Sequence, residues 1–171
     1  MKYFILLSLL TTLAFSNIEN INSFEADFKQ DITNDKGNVL SYEGHIQATK
    51  PQFALWDYTN PVNKMIYISE YKVTIIEPEI EQAIVKVISN DFDFFSMIKH
   101  AKKIKKDEYS AKFKESLYNI KLSESKIESI SYIDEFENRV KILFTNQKQN
   151  EKIKQSVFTP IIPQEYDIIR D

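Results

Sequence analysis

The sequence predicts a mainly β protein: a curved antiparallel sheet whose apolar face is covered by a short helical segment. Three observations predict it. Nine stretches alternate apolar and polar side chains at a period of two, which gives a strand one buried face and one wet face. Polar clusters or prolines separate those stretches, as turns do. Residues 79–106 break the pattern with a dense apolar group that suits a helix.

The elements follow in order. Ile18 and Ile21, three apart, suit a short helix over Asn17–Asn22. Apolar residues at 24, 26, 28 and 32 alternate with charges in a first strand, and Thr33–Asn38 is a turn cluster. Leu40, Tyr42, Gly44, Ile46 and Ala48 repeat the period and complete a hairpin. Pro51 interrupts the pattern before a strand over Phe53–Tyr58, and Asn60-Pro61 marks another turn. Lys64–Ser69 and Lys72–Glu77 are two further strands around a bend at Ser69-Glu70-Tyr71. Beyond Pro78, Asp91 is placed to cap a helix running through Phe95, Ile98 and Lys102. The cations of Lys102–Lys106 then fall at the C-terminal end, where the helix dipole favours them. Strands return at Tyr109–Lys114, Leu117–Leu122, Ile127–Ile133 and Arg139–Thr145. Glu151–Ser156 suits a short helix, and Pro160, Pro163 and Tyr166–Ile169 suit an extended tail. The sequence contains no internal repeat and suggests no second domain.

Composition removes most enzyme classes. With 22 Lys and Arg against 25 Asp and Glu, the 171-residue chain has a formal net charge of −3, and only Arg139 and Arg170 are arginines. Nucleic-acid binding rewards the opposite balance. The absence of cysteine excludes disulfides, thiolate metal sites and Cys nucleophiles. Gly37 and Gly44 are the only glycines, too few for a dinucleotide fingerprint, a phosphate loop or a G-x-S-x-G turn. At the N-terminus, Met1-Lys2 is a positive start and Tyr3–Phe15 an apolar run of signal-peptide length. Ala14-Phe15-Ser16 is a small-x-small cleavage site, so residues 1–16 are expected to be a signal peptide and residue 17 the mature start.

Two groups remain with chemistry to offer. Glu77, Glu79 and Glu81, with Asp91 and Asp93, could supply paired carboxylates, but acids at this period mostly form a solvated strand face. His45 lies in a strand, where hydrogen bonding to a neighbour is the ordinary role. The apolar stock points to binding. A sheet with one apolar face must cover it, and a curved sheet under a helical lid leaves room for a cavity. Periodicity does not separate a filled core from a lined pocket, so both stand at this point.

Four segments, taken together, go further. Ser23-Phe24-Glu25-Ala26-Asp27-Phe28-Lys29-Gln30 forms the opening strand, and Lys50-Pro51 precedes Trp56 and Tyr58. Glu77-Pro78-Glu79-Ile80-Glu81-Gln82 follows, and Phe158-Thr159-Pro160 leads to Pro163 and Ile168-Ile169. In order and spacing, over nearly all of residues 18–170, they resemble the family of LolA, the outer-membrane lipoprotein carrier. The resemblance implies an unclosed, strongly curved half-barrel of about eleven strands, with a short helical lid over a hydrophobic cavity, as a single domain over residues 17–171. It implies a periplasmic carrier that binds the acyl chains of triacylated lipoproteins and moves them from the inner to the outer membrane. The implied partners are a LolCDE-type ABC transporter and a LolB-like outer-membrane acceptor. A catalytic residue, cofactor or metal is not implied, and the carrier is expected to be a monomer without nucleic acid.

Residue by residue, Lys50 stands where the family has an arginine that holds the lid shut; lysine keeps the charge and loses the planar fork. Trp56 matches a cavity-facing tryptophan. The family's phenylalanine two residues earlier is Ala54 here, flanked by Phe53 and Leu55, which strand alternation turns the other way. The candidate acyl-chain contacts are Phe28, Phe53, Leu55, Trp56, Tyr58, Ile75 and Phe144 from the sheet. Phe92, Phe95, Met97 and Ile98 are those from the lid. The residues alone also fit an exported apolar-ligand or envelope-interaction module on the same scaffold. Such an adaptor would have a packed interior and an exposed patch around Lys102–Lys106, whereas a carrier would have an apolar cavity.

Overall fold

The computed structural model describes residues 18–69, 71–88, 94–113 and 115–170. The expected signal peptide, the Asp91 cap and Phe92 lie outside them. One sheet of twelve strands dominates the described residues: β1 (Ser23–Thr33), β2 (Val39–Thr49), β3 (Phe53–Asn60), β4 (Lys64–Ser69), β5 (Lys72–Glu77) and β6 (Gln82–Val87) come first. β7 (Lys102–Lys105), β8 (Glu108–Phe113), β9 (Ser116–Ser123), β10 (Lys126–Ile133), β11 (Arg139–Gln149) and β12 (Asp167–Arg170) follow. Their order in the sheet is β12-β6-β5-β4-β3-β2-β1-β11-β10-β9-β8-β7, so the sheet has two free edges and is not closed. Neighbours run antiparallel except β12, which pairs in parallel with β6. β1 is the hinge of the topology: its early partner is β2, and its other partner is β11, far along the chain.

Three sequence expectations change. Residues 82–87 form β6, because Ile84, Val85 and Val87 are β-branched and find cross-strand partners in Ile75, Thr74 and Lys72. Among the described residues the helix is α1 (Phe94–Lys99), which ends before Lys102. Lys102–Lys105 belong to β7, not to a helix end; Lys103 pairs with Tyr109, and Lys105 reaches Glu108 at 3.2 Å. Lysines along a free sheet edge keep other strands from adding to it, which is a reason for cations here other than a helix dipole. The tail also pairs: Ile168 and Ile169 lie beside Ala83 and Ile84 in β12.

Alternation gives the sheet two faces. Phe24, Ala26 and Phe28 of β1 stand on the inner face beside Ala48, Ile46 and Gly44 of β2. Ile142 and Phe144 of β11 and Ile130 and Ile120 beyond continue that face, nearly all of it buried. The outer face of β1, β2 and β11 is polar. Glu25 accepts from Lys148 Nζ at 2.7 Å and Gln47 Nε2 at 3.0 Å, and those bonds hold its carboxyl below the usual carboxylate range. Asp27 accepts from Asn146 Nδ2 at 2.7 Å and lies 2.7 Å from His45 Nδ1, with the same effect on its own carboxyl. His45 thus makes the neighbour bond expected of a strand histidine. Over β3 and β4 the outer face is covered by the chain after β11, where Phe158 lies 5.9 Å from the Phe53 ring.

Gly44 is required where it stands. A Cβ there would overlap the Asp57 carbonyl oxygen and crowd the tip of the Phe28 ring at 2.8 Å. The β2–β3 register shifts at this residue, which brings the two backbones close.

Candidate functional site

The inner face is not filled. Between the sheet and α1 lies a cavity of about 220 Å³. Ala54, Trp56 and Tyr58, at alternate positions of β3, form one wall, with Ile66 and Ile68 of β4 beside them. Ile130 and Tyr132 of β10, Tyr118 of β9 and Phe113 of β8 form the facing wall. Phe94 and Met97, one helical turn apart, make the α1 side of the cavity. Phe95 and Ile98, on the other side of the same turn, are buried at 4% and 2% exposure and anchor the helix.

The polar groups in the cavity are paired or neutral. The Tyr58 hydroxyl donates to Gln30 Oε1 at 3.0 Å, and burial pushes it far above the usual phenol range. Burial likewise pushes Tyr132 up to about 12, so both phenols are uncharged at neutral pH. Phe28 supports the wall from below, edge-on to Trp56 at 5.1 Å and to Tyr58 at 5.0 Å. The result is an apolar chamber with a few neutral hydrogen-bonding groups, suited to hydrocarbon bearing an occasional carbonyl.

Of the candidates named from sequence, the cavity brings together Trp56, Tyr58 and Met97. Phe28, Phe95, Ile98 and Phe144 are core residues beneath or behind the wall; Phe144 packs edge-on against Phe24 at 5.2 Å. Ile75 pairs with Ile66 and shares the inner face, one strand beyond the lining. Phe53 and Leu55 are corrections: they alternate with Ala54 and Trp56 and stand on the outer face. Sequence reasoning missed Phe94, Ile66, Ile68 and the far wall. Cross-strand pairing could have found Ile66 and Ile68, since the β3–β4 hairpin sets them opposite Trp56 and Ala54. The far wall carried no such local signal.

Among the described residues, Lys50 is bonded to the N-terminal turn and not to α1. Its Nζ donates to the Glu19 carbonyl at 3.2 Å and to Asn22 Oδ1 at 3.1 Å, both in the N-terminal segment whose Ile18 and Ile21 are buried. α1 packs on that 3-10 turn (Ile18–Asn20), which leaves one element between Lys50 and the helix. Lys50→Leu is expected to speed amide exchange at residues 18–22 and at 94–99 together. Faster exchange at 18–22 alone would confine Lys50 to the turn.

Comparison with known proteins agrees with this geometry. The family profile of the outer membrane lipoprotein carrier protein LolA matches residues 19–160. The chain is 44% identical, over 88% of its length and 88% of the relative's, to the outer-membrane lipoprotein carrier protein of Campylobacter jejuni. It is 33% identical, over 92% of each chain, to that of Wolinella succinogenes. Among solved structures, a LolA superfamily protein from Nitrosomonas europaea superposes with a TM-score of 0.56 at 10% identity, covering 85% of this chain and 94% of the other. An uncharacterized conserved protein from Thermus thermophilus gives 0.57 at 8%, covering 91% and 94%. At such identities these two structures speak for the fold, and the closer sequences for the lineage: the chain belongs to the LolA family of outer-membrane lipoprotein carrier proteins.

Proposed function

We propose that this lipoprotein carrier shields the acyl chains of its cargo in the cavity under α1, with Trp56, Tyr58, Ile66, Ile68, Phe94 and Met97 in contact with hydrocarbon. The observation that carries this is an apolar cavity left open between the sheet and its helical cover. Each buried methylene is worth about 0.8 kcal/mol, so an exposed acyl chain costs on the order of 10 kcal/mol and must be hidden during transit. At about 220 Å³ the cavity lies below the roughly 300–1,000 Å³ that takes a drug-sized ligand, so three acyl chains require it to widen. α1 is the movable wall: six residues long, packed on the turn that Lys50 holds and on β8. A cover that lifts to load and settles when empty binds and releases without chemistry, provided neither state is far more stable than the other.

On this reading residues 1–16 direct export, residues 17–171 form one carrier domain, and the protein works in the periplasm. A LolCDE-type transporter supplies cargo together with the energy of extraction, and a LolB-like acceptor receives it. Native mass spectrometry of the protein from its own periplasm should find it bound one-to-one to triacylated lipoprotein. Absence of cargo there, and again after mixing with lipoprotein-loaded transporter, would overturn the proposal.

A further inference from the structure

The far wall of the cavity contains a split in the sheet. β9 and β10 pair from Ser123–Lys126 as far as Asn119–Ser131. Continued register would set Tyr118 against Tyr132 and Leu117 against Ile133, yet the backbone ladder stops. A side chain spans the strands instead, the Ser116 hydroxyl donating to the Ile133 carbonyl at 2.9 Å. An open groove of about 1040 Å³ runs along this end of the two strands.

The groove meets the cavity. Phe113, Tyr118 and Tyr132 line both, and the two tyrosine rings stand 4.6 Å apart at the junction. Beyond them the lining is mixed: the exposed side chains of Leu117 and Ile133 stand among Asn119, Ser131, Arg139, Lys141 and the acids Glu115, Asp134 and Glu135. A lining that interleaves apolar side chains with charges of both signs suits polypeptide better than hydrocarbon. An extended polypeptide gains a good deal, because strand ends beyond the ladder offer backbone donors and acceptors, and the side chains of both charges offer more.

Covalent structure supplies the occupant. A lipoprotein's acyl chains and its polypeptide meet at one residue, so with the chains inside the cavity the polypeptide must leave by an opening continuous with it. We propose that the split between β9 and β10 is a side portal that takes the extended peptide following the lipid-bearing residue. This rests on the carrier reading above and adds a second subsite, of mixed polarity, to it.

The probes are a synthetic triacylated cysteine carrying a six-residue neutral polar peptide and the same triacylated cysteine amide without the peptide. Binding of each is measured by calorimetry to the wild type and to Asn119→Trp, an exposed position where the added ring fills the groove but not the cavity. The variant should bind the peptide-bearing ligand about tenfold more weakly and the bare amide as well as before. A photo-crosslinking benzoylphenylalanine at Leu117 should capture the peptide tail of the bound ligand. Equal affinities of variant and wild type for the tailed ligand, or no capture from position 117 while the ligand is bound, would overturn the portal and leave the peptide to exit beside α1. If the wild type takes up neither ligand, the carrier reading itself fails and the portal with it.

Discussion

Gly44→Ala should cost the fold about 3 kcal/mol or more, one of the largest single-substitution effects expected of this chain. The added methyl meets the Asp57 carbonyl oxygen, a backbone atom that no rotamer change can move. Relief requires β2 and β3 to part, and the Phe28 ring at 2.8 Å blocks movement in the other direction. Overpacking of a filled site costs about 1–3 kcal/mol when side chains can yield, and more when they cannot. A domain of this size has about 5–15 kcal/mol to lose, so the urea midpoint should fall by about 1–2 M. Because Phe28 supports Trp56 and Tyr58, acyl-chain affinity should fall with it. A midpoint within about 0.3 M of wild type, a shift worth less than about 1 kcal/mol at ordinary slopes, would mean that the β2–β3 bulge absorbs the methyl.

Trp56→Glu should remove acyl-chain binding with a much smaller loss of stability. The indole is only partly buried and faces the cavity, so a carboxylate there can still reach solvent in the empty protein. Once hydrocarbon fills the cavity it cannot, and burying an unpaired charge is among the heaviest penalties known in proteins. Affinity for a triacylated lipopeptide should drop at least about 100-fold, some 2.7 kcal/mol. Leu55→Glu, one residue away on the outer face, should leave that affinity within about twofold, well under 1 kcal/mol. The contrast separates a lining role from a general disturbance of β3. Retained binding in Trp56→Glu would remove Trp56 from the acyl-chain site.

The nine alternating stretches all became strands, because a half-wet sheet writes its pattern in every second residue. β6 escaped because both of its faces are covered in part: Ile84 faces inward, while Ala83, on the other face, is fully buried. The run Ile84-Val85-Lys86-Val87 therefore lacks clean alternation and looks helical by apolar density alone. Lys102–Lys105 misled for another reason, since a charged edge strand and a charged helix end have the same composition. At the site, parity around Trp56 was legible, and counting Phe53 and Leu55 as contacts went against it; both stand on the outer face. The far wall was not, because Tyr118 and Tyr132 reach the cavity through a long-range pairing of β11 with β1 that leaves no local trace.

That pairing also governs when the protein can become itself. β1 lies near the middle of the sheet, yet one of its edges waits for β11, with Phe28 meeting Phe144 across most of the chain. Closing so long a loop costs entropy before any contact repays it, so assembly is slow and comes last. Until residues 139–149 arrive, the floor of the chamber is incomplete and nothing joins the β8–β10 wall to β1. A polypeptide threaded through a membrane from its N-terminus would thus emerge unable to collapse early around stray lipid. Its capacity to hold grease appears only when synthesis and passage are almost complete.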